Sequence, residues 1–229
     1  MNRNAAPSGQ VPVSHQRAGA PGRALPRSTG VAGLATVVLL FGGQLLIQVG
    51  GGEPAFDASA AAIADYFGAR DQTLFAIGTY LNVVAVVLFL WFVGGVYTLL
   101  RDDWRATIAL ISGVLGVAPV LTAGWELAVY RVPEGVDSQI ARLAFDLGNL
   151  SFASGWVALG SFAVASGWAG LATRALPRWL SWWIVAAGVC LVAARAVWAT
   201  PIWLVGYAFF WLWVVALSVR LLRWRRPQP

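Results

Sequence analysis

Eight polar side chains interrupt the long apolar stretches of this sequence, and their types are those that could do chemistry. They are Gln44, Gln48, Asn82, Glu126, Arg142, Asp146, Asn149 and Arg195. A carboxylate can bind a proton or act as a general base, whereas arginine and amide groups exchange hydrogen bonds with a polar ligand. The same residue types also join helices inside a membrane, where one such contact contributes about 0.6 kcal/mol. Two interpretations of the eight residues therefore remain: a ligand-binding site and a purely structural cluster.

Three of these residues share one face of a predicted helix. Arg142, Asp146 and Asn149 follow one another at i, i+4 and i+7, and Arg142 is spaced for an ion pair with Asp146. The same face continues with small residues, at Ala153, Gly160, Ala163 and Gly167. Because small residues let membrane helices approach closely, we expect this face to point into the bundle. The sequence favours a hydrogen-bonded clamp that fixes the bundle, and the alternative is a pocket for a lipid, a small polar ligand or a proton.

Several kinds of chemistry are excluded by residues that are missing or misplaced. All 16 basic residues are arginine, so no lysine is present for Schiff-base chemistry. The single histidine, His15, lies in the N-terminal tail, which excludes bis-histidine haem ligation, a histidine-based zinc site and a serine–histidine pair within the membrane. Cys190 has no disulfide partner in the chain and is expected to be buried. The sequence thus predicts no cofactor and no metal.

The composition is that of a membrane protein. The 229 residues are 59% hydrophobic and 11% charged, and the mean hydropathy is +0.69. A helix needs about 20 apolar residues to cross the hydrocarbon. Runs of this length predict an all-α bundle of six transmembrane helices, at 28–49, 73–100, 106–130, 139–168, 179–199 and 202–222. We predict a disordered cytoplasmic tail at 1–27, a transmembrane domain at 28–223 and a basic cytoplasmic tail at 224–229.

A short amphipathic helix is predicted outside the membrane, at about 57–67, in the connection between the first two spans. Asp57 is positioned to cap its start and Gly68 to end it. The residues that would share its apolar face are Phe56, Ala60, Ile63 and Phe67. This pattern is typical of a helix that lies on the membrane surface or caps the bundle. The next connection, residues 131–138, ends in Asp137 or Ser138 as a cap for the fourth span.

The distribution of arginine predicts the orientation. With the N terminus in the cytoplasm, twelve of the 16 arginines lie on the cytoplasmic side, and an even number of spans returns the C terminus there. The other four are Arg70, Arg131, Arg142 and Arg195. Counting about 1.5 Å per residue from the cytoplasmic ends places the polar groups of five spans near the outer boundary of the hydrocarbon. Since eight of the ten acidic residues also lie outside, the net charge of +6 does not indicate a nucleic acid; the expected partners are membrane lipids.

Three segments resemble a group of actinobacterial multi-spanning membrane proteins placed with or near the DUF4386 family. The segments are GTYLNVVAVVLFLWFVGGVY at 78–97, DLGNLSF at 146–152 and RALPRWLSWWIVAAGV at 174–189. The resemblance covers roughly residues 28–223. It implies six spans in a bacterial plasma membrane, and it implies no activity and no catalytic residues.

Three functions remain open. The sequence favours a non-enzymatic binding, regulatory or scaffold component with a polar cluster at the outer leaflet, where a small ligand or lipid would bind. A small secondary transporter or proton-coupled carrier would use Asp146, Glu126 and Arg195, although no internal repeat and no charge near the middle of the bilayer support it. A lipid-modifying enzyme would use Asp146 or Glu126 as a general base, but no nucleophile or metal site accompanies them. The oligomeric state is left open.

Overall fold

A computed structural model gives the fold and describes residues 24–49, 51–121 and 124–223. Residues 1–23 of the predicted N-terminal tail and the whole predicted basic tail at 224–229 lie outside the described residues. Within them the chain is helical and has no strand. The helices are α1 (Ala24–Ile47), α2 (Ala60–Gly68), α3 (Gln72–Leu100), α4 (Arg105–Val117), α5 (Gly124–Arg131), α6 (Ser138–Thr173), α7 (Arg178–Ala194) and α8 (Trp203–Leu222). The predicted all-α helix bundle is confirmed.

Five helices, α1, α3, α6, α7 and α8, are long and apolar enough to cross a membrane, so the chain is a multi-pass membrane protein. The predicted third span, 106–130, is not one helix. It consists of α4, a 3-10 turn at Ala118–Leu121 and α5, because Pro119 lacks an N–H and its ring clashes with the carbonyl group of Leu115. The interrupted segment still follows α6 along its length, with Gly113 beside Phe162 and Gly124 beside Ala144. The six predicted spans are therefore five continuous helices and one interrupted segment.

Both ends of the described chain lie at the same end of the bundle, as an even number of crossings requires. A Cβ atom on Gly30 would lie 2.7 Å from the Ser218 carbonyl oxygen, which joins the start of α1 to the end of α8. The end of α3 is here too, because Gly95 contacts Thr29. We call this the basic end, since its arginines are Arg27, Arg101, Arg105, Arg174, Arg178, Arg220 and Arg223. The opposite end, which carries α2, α5 and the start of α6, is the capped end.

The main core fills the bundle between the long helices and is rich in aromatic residues. The fully buried rings include Phe89, Phe92, Phe162, Phe210 and Trp213. Lipid chains are as apolar as these side chains, so close packing and polar contacts hold such helices together. One polar contact is the hydrogen bond from the Trp213 Nε1–H to the Leu180 carbonyl oxygen at 3.0 Å, which fixes α8 on α7.

The small-residue face of α6 packs against α7, which confirms the predicted inward orientation. A Cβ atom on Gly160 would lie 2.7 Å from the Gly188 carbonyl oxygen, and one on Gly167 would lie 2.6 Å from the Ser181 carbonyl oxygen. Only glycine permits this backbone approach. The prediction that Cys190 is buried is wrong, because α7 turns a different face to the core and leaves Cys190 exposed.

The predicted short helix between the first two spans exists, but its start was predicted wrongly. α2 begins at Ala60, and its cap is Ser59 instead of Asp57: the Ser59 Oγ accepts a hydrogen bond from the Ala62 N–H at 3.2 Å. Its apolar side chains are buried beneath it, at Ile63, Tyr66 and Phe67. Since α2 packs against α5 and α6, it caps the bundle.

Other predicted boundaries differ by a few residues. α1 begins at Ala24, inside the segment predicted as a tail, and α6 continues to Thr173. The helical part of the fifth span ends at Ala194 and continues as a 3-10 turn at Arg195–Val197. The predicted Asp137 cap of α6 is confirmed by a hydrogen bond of 2.7 Å from the Gln139 N–H to the Asp137 Oδ1.

Candidate ligand-binding site at the capped end

The capped end has a hydrophobic core of its own, separate from the main core. The Trp125 ring of α5 stacks on the Phe145 ring of α6, with centroids 5.6 Å apart and an interplanar angle of 8°. Phe67 of α2 packs edge-on against both rings, at 5.9 and 6.3 Å. Each such pair contributes about 0.5–1.5 kcal/mol beyond the burial of area. The polar residues of the capped end thus lie beside a closely packed aromatic core.

Arg70 holds the connection between α1 and α3 in place by hydrogen bonds to backbone carbonyl groups. Its side chain is 6% exposed and donates hydrogen bonds to the carbonyl oxygens of Tyr66 at 3.3 Å, Ile47 at 3.2 Å, Val49 at 3.0 Å and Gly51 at 2.8 Å. The guanidinium also lies over the Tyr66 ring, 3.9 Å from its centroid. The last carbonyl groups of a helix lack partners within it and carry the negative end of the helix dipole. The buried Arg70 guanidinium therefore supplies hydrogen-bond donors at the end of α1 and places a positive charge at the negative end of the helix dipole.

Sequence reasoning placed Arg70 outside the membrane but assigned it no role. The signal that was available is its location, because arginine is uncommon on the non-cytoplasmic side and a retained one often has a specific partner. Its partners are backbone carbonyl groups, which no residue pattern reveals.

Two of the predicted site residues join α1 to α3. The Asn82 Nδ2 donates a hydrogen bond to the Gln44 Oε1 at 3.4 Å, and the Asn82 Oδ1 is buried without a partner among the described residues. The helices are in close contact here, since a Cβ atom on Gly43 would lie 2.6 Å from the Gly78 carbonyl oxygen. Gln48, one turn further along α1, is half-buried at the end of the helix. This part of the predicted cluster is a clamp between two helices.

Three more predicted residues lie together on α6. The Arg142 Nε is 4.0 Å from the Asp146 Oδ2, with the side chains 42% and 31% exposed, so the predicted ion pair is present at the outer limit of the distance range. The Asp146 Oδ1 is buried and has no hydrogen-bond partner among the described residues. The Asn149 Nδ2 donates to the Phe145 carbonyl oxygen at 3.2 Å. The Asp146 Oδ1 is therefore an acceptor without a partner among the described residues, about one helical turn from the Asn149 amide, which its hydrogen bond holds in place.

Glu53, in the connection before α2, joins the α6 group and was missed. Its carboxyl group lies close enough to the Asn149 side chain and to the Arg70 guanidinium for both to act on its pKa. Loss of water around the Glu53 carboxyl raises its pKa, while the neighbouring Asn149 amide and the Arg70 charge lower the pKa and offset part of this effect. Burial likewise raises the pKa of Tyr66 to about 12, and its hydroxyl lacks a partner among the described residues. The sequence signal for Glu53 was an acidic residue directly after three glycines, in a connection flexible enough to fold back.

The same connection is anchored by an aromatic residue. The Phe56 ring lies edge-on to Trp198, with centroids 4.3 Å apart, and 6.4 Å from the Phe145 ring. It therefore links the connection to α6 and to the segment that follows α7. This anchoring holds the Glu53 loop against the start of α6.

Two further predicted residues, Glu126 and Arg195, take part in neither of these two sets of contacts. Glu126 on α5 and Arg195 in the turn after α7 are half-buried, and neither side chain forms a hydrogen bond or ion pair with a described residue. The eight predicted residues therefore do not form one ring of direct contacts. Gln44 and Asn82 form the α1–α3 clamp, whereas Arg142, Asp146 and Asn149, with Glu53, form the polar group that we call the α6 site. Chemically, the α6 site offers acceptor oxygens beside a guanidinium.

No protein-family model, curated protein or solved structure matches this chain. The resemblance to the DUF4386 group stays a prediction.

Proposed function

We propose that this chain is a non-enzymatic binding, regulatory or scaffold component of a bacterial plasma membrane, and that the α6 site at its outer face binds a zwitterionic lipid headgroup. The observation that carries the proposal is the α6 site itself. The Glu53 carboxyl lies beside the Asn149 side chain, and the Asp146 Oδ1 one turn away lacks a partner among the described residues. These acceptors complement an ammonium group. Arg142, loosely paired at 4.0 Å, complements the adjoining phosphate.

The carrier alternative gains less support. Aromatic rings such as Phe89, Phe162 and Phe210 pack in the middle of the main core, and the charged side chains of the described residues lie toward the two ends. Carriers usually hold their substrate near the middle of the bilayer. The enzyme alternative gains less as well, because Glu126 lies outside the α6 site, which contains Asp146.

Native mass spectrometry of the full chain, released from nanodiscs that contain equal amounts of phosphatidylethanolamine and phosphatidylglycerol, tests this proposal. We expect preferential retention of phosphatidylethanolamine. Glu53→Gln and Asp146→Asn should each weaken retention roughly tenfold, since each removes a charge-assisted hydrogen bond. Asp57→Asn is the matched control, because Asp57 is an exposed carboxylate of the same connection. Equal retention of the two lipids, or equal effects of all three substitutions, would contradict the proposal.

A further inference from the structure

A small cavity lies in the middle of the main core. Its volume is about 40 Å³, and residues of α1, α3, α4, α6, α8 and the turn at Ala118–Leu121 line it. Its aromatic lining consists of Phe89, Phe152, Trp156, Tyr207 and Trp211. A cavity needs about 10–15 Å³ of such volume to hold a water molecule, so this cavity accommodates at least one group of that size.

Two indole N–H groups at this cavity have no hydrogen-bond partner. Trp156 is 2% exposed and Trp211 is 7% exposed, and neither Nε1 is within hydrogen-bond geometry of a described acceptor. The Tyr207 ring packs edge-on against the Trp211 ring, with centroids 5.9 Å apart, and Tyr207 is a further polar side chain of the lining. Trp213, in contrast, donates to the Leu180 carbonyl oxygen. Since an unsatisfied buried donor is costly, the two indoles favour an acceptor in the cavity.

A groove on the lipid-facing surface adjoins the cavity where α4 is interrupted. Its volume is about 430 Å³, and the residues that line it are Leu115, Ala118, Pro119, Leu147, Leu150, Ser151, Ser154 and Gly155. Pro119 and Gly155 line the cavity as well. A Cβ atom on Gly155 would lie 3.1 Å from the Pro119 Cγ, so these two residues form the wall between the cavity and the lipid.

We propose that groove and cavity form one binding site for an uncharged single-chain lipid that ends in a hydrogen-bond-accepting oxygen, such as a long-chain alcohol. The chain lies in the apolar groove. The terminal oxygen lies beyond Pro119 and Gly155 and accepts hydrogen bonds from the indoles of Trp156 and Trp211. A charged headgroup is disfavoured, because the lining of the cavity carries no charge and the volume admits only a small group. This site is in the middle of the bundle and is independent of the α6 site.

Photocrosslinking tests the proposal. The full chain in phospholipid nanodiscs is exposed to a long-chain alcohol that carries a diazirine and an alkyne tag, and labelled residues are mapped by mass spectrometry. We expect saturable labelling within 115–119 and 147–156, competed by the unlabelled alcohol but not by an alkane of the same length. Trp156→Phe, which removes one donor, and Ser154→Phe, which fills the groove, should each reduce labelling at least fivefold.

Two variants serve as matched controls. Trp182→Phe changes an exposed tryptophan of α7, and Val157→Phe adds a ring to α6 outside the groove; both should leave labelling unchanged. Equal competition by the alkane, or full labelling in both Trp156→Phe and Trp211→Phe, would overturn the proposal and leave the cavity to a water molecule. If Trp156→Phe does not fold, Trp211→Phe and Ser154→Phe decide the result, with an unchanged melting temperature as the criterion of folding.

Discussion

Replacement of Arg70 by alanine should destabilise the capped end more than any other single arginine substitution there. Of its four hydrogen bonds, those to the Tyr66 and Ile47 carbonyl oxygens are buried, whereas those to Val49 and Gly51 are partly exposed to water. A hydrogen bond that involves a charged group contributes about 1.5–3 kcal/mol, and water replaces the exposed ones at little cost. The two buried bonds therefore predict a loss of about 3–6 kcal/mol in the free energy of unfolding. Arg70→Lys should lose less, because it keeps the charge but not the planar set of donors.

The assay is equilibrium unfolding of the purified chain in mixed detergent micelles, with hydrogen exchange of residues 48–58 as a local readout. Arg131→Ala is the matched control, because Arg131 also lies at the capped end but is 62% exposed and pairs only with Glu134. We expect no measurable change in the control and faster exchange of 48–58 in Arg70→Ala. If both substitutions have the same effect, or if exchange of 48–58 is unchanged, the assigned role of Arg70 is wrong.

Three further outcomes are expected from the same unfolding assay. The pKa of Glu53 is raised above 4.5, so the folded chain binds a proton more readily than the unfolded chain, and the wild type should gain stability relative to Glu53→Gln as the pH falls from about 7 to below 4.5. A stability difference that stays constant over this range would refute this. Gly160→Ala should cost about 1–3 kcal/mol by forcing α6 from α7, whereas Gly42→Ala, which meets open space, should not destabilise; equal effects would count against the close packing. Arg142→Gln and Asp146→Asn should show a coupling energy below about 1 kcal/mol in a double-mutant cycle, and strictly additive losses would show that the two residues are not paired.

The spans were predictable because their length and composition depend on the thickness of the hydrocarbon alone. The interruption of the third span at Ala118–Leu121 was predictable only in part. A proline in the predicted third span, Pro119, frees the carbonyl group of Leu115, but whether the helix resumes depends on how the following residues pack against α6. The cap of α2 shows the same limit, since Asp57 and Ser59 both qualify by type. Ser59 is used because this start buries Ile63 beneath the helix.

The partners of the candidate-site residues could not be predicted from the sequence. The rise per residue gives an expected depth for Asn82 and Asp146, yet it does not fix the tilt of each helix or its rotation about its axis. Asn82 turns toward Gln44 on α1, whereas Asp146 belongs to the α6 site. Glu53 reaches that site from a loop, whose path a periodic pattern does not describe.

The two cores of this protein have a mechanical consequence. α4 belongs to the main core and α5 to the core of the capped end, and the interruption that begins at Ala118 separates them, whereas α3 and α6 run through both cores without a break. The interruption is therefore the place where the two cores are not joined by a continuous helix. Pro119, which lies in the interruption, is also part of the wall between lipid and cavity. A movement at Pro119 would therefore change access from the groove to the cavity.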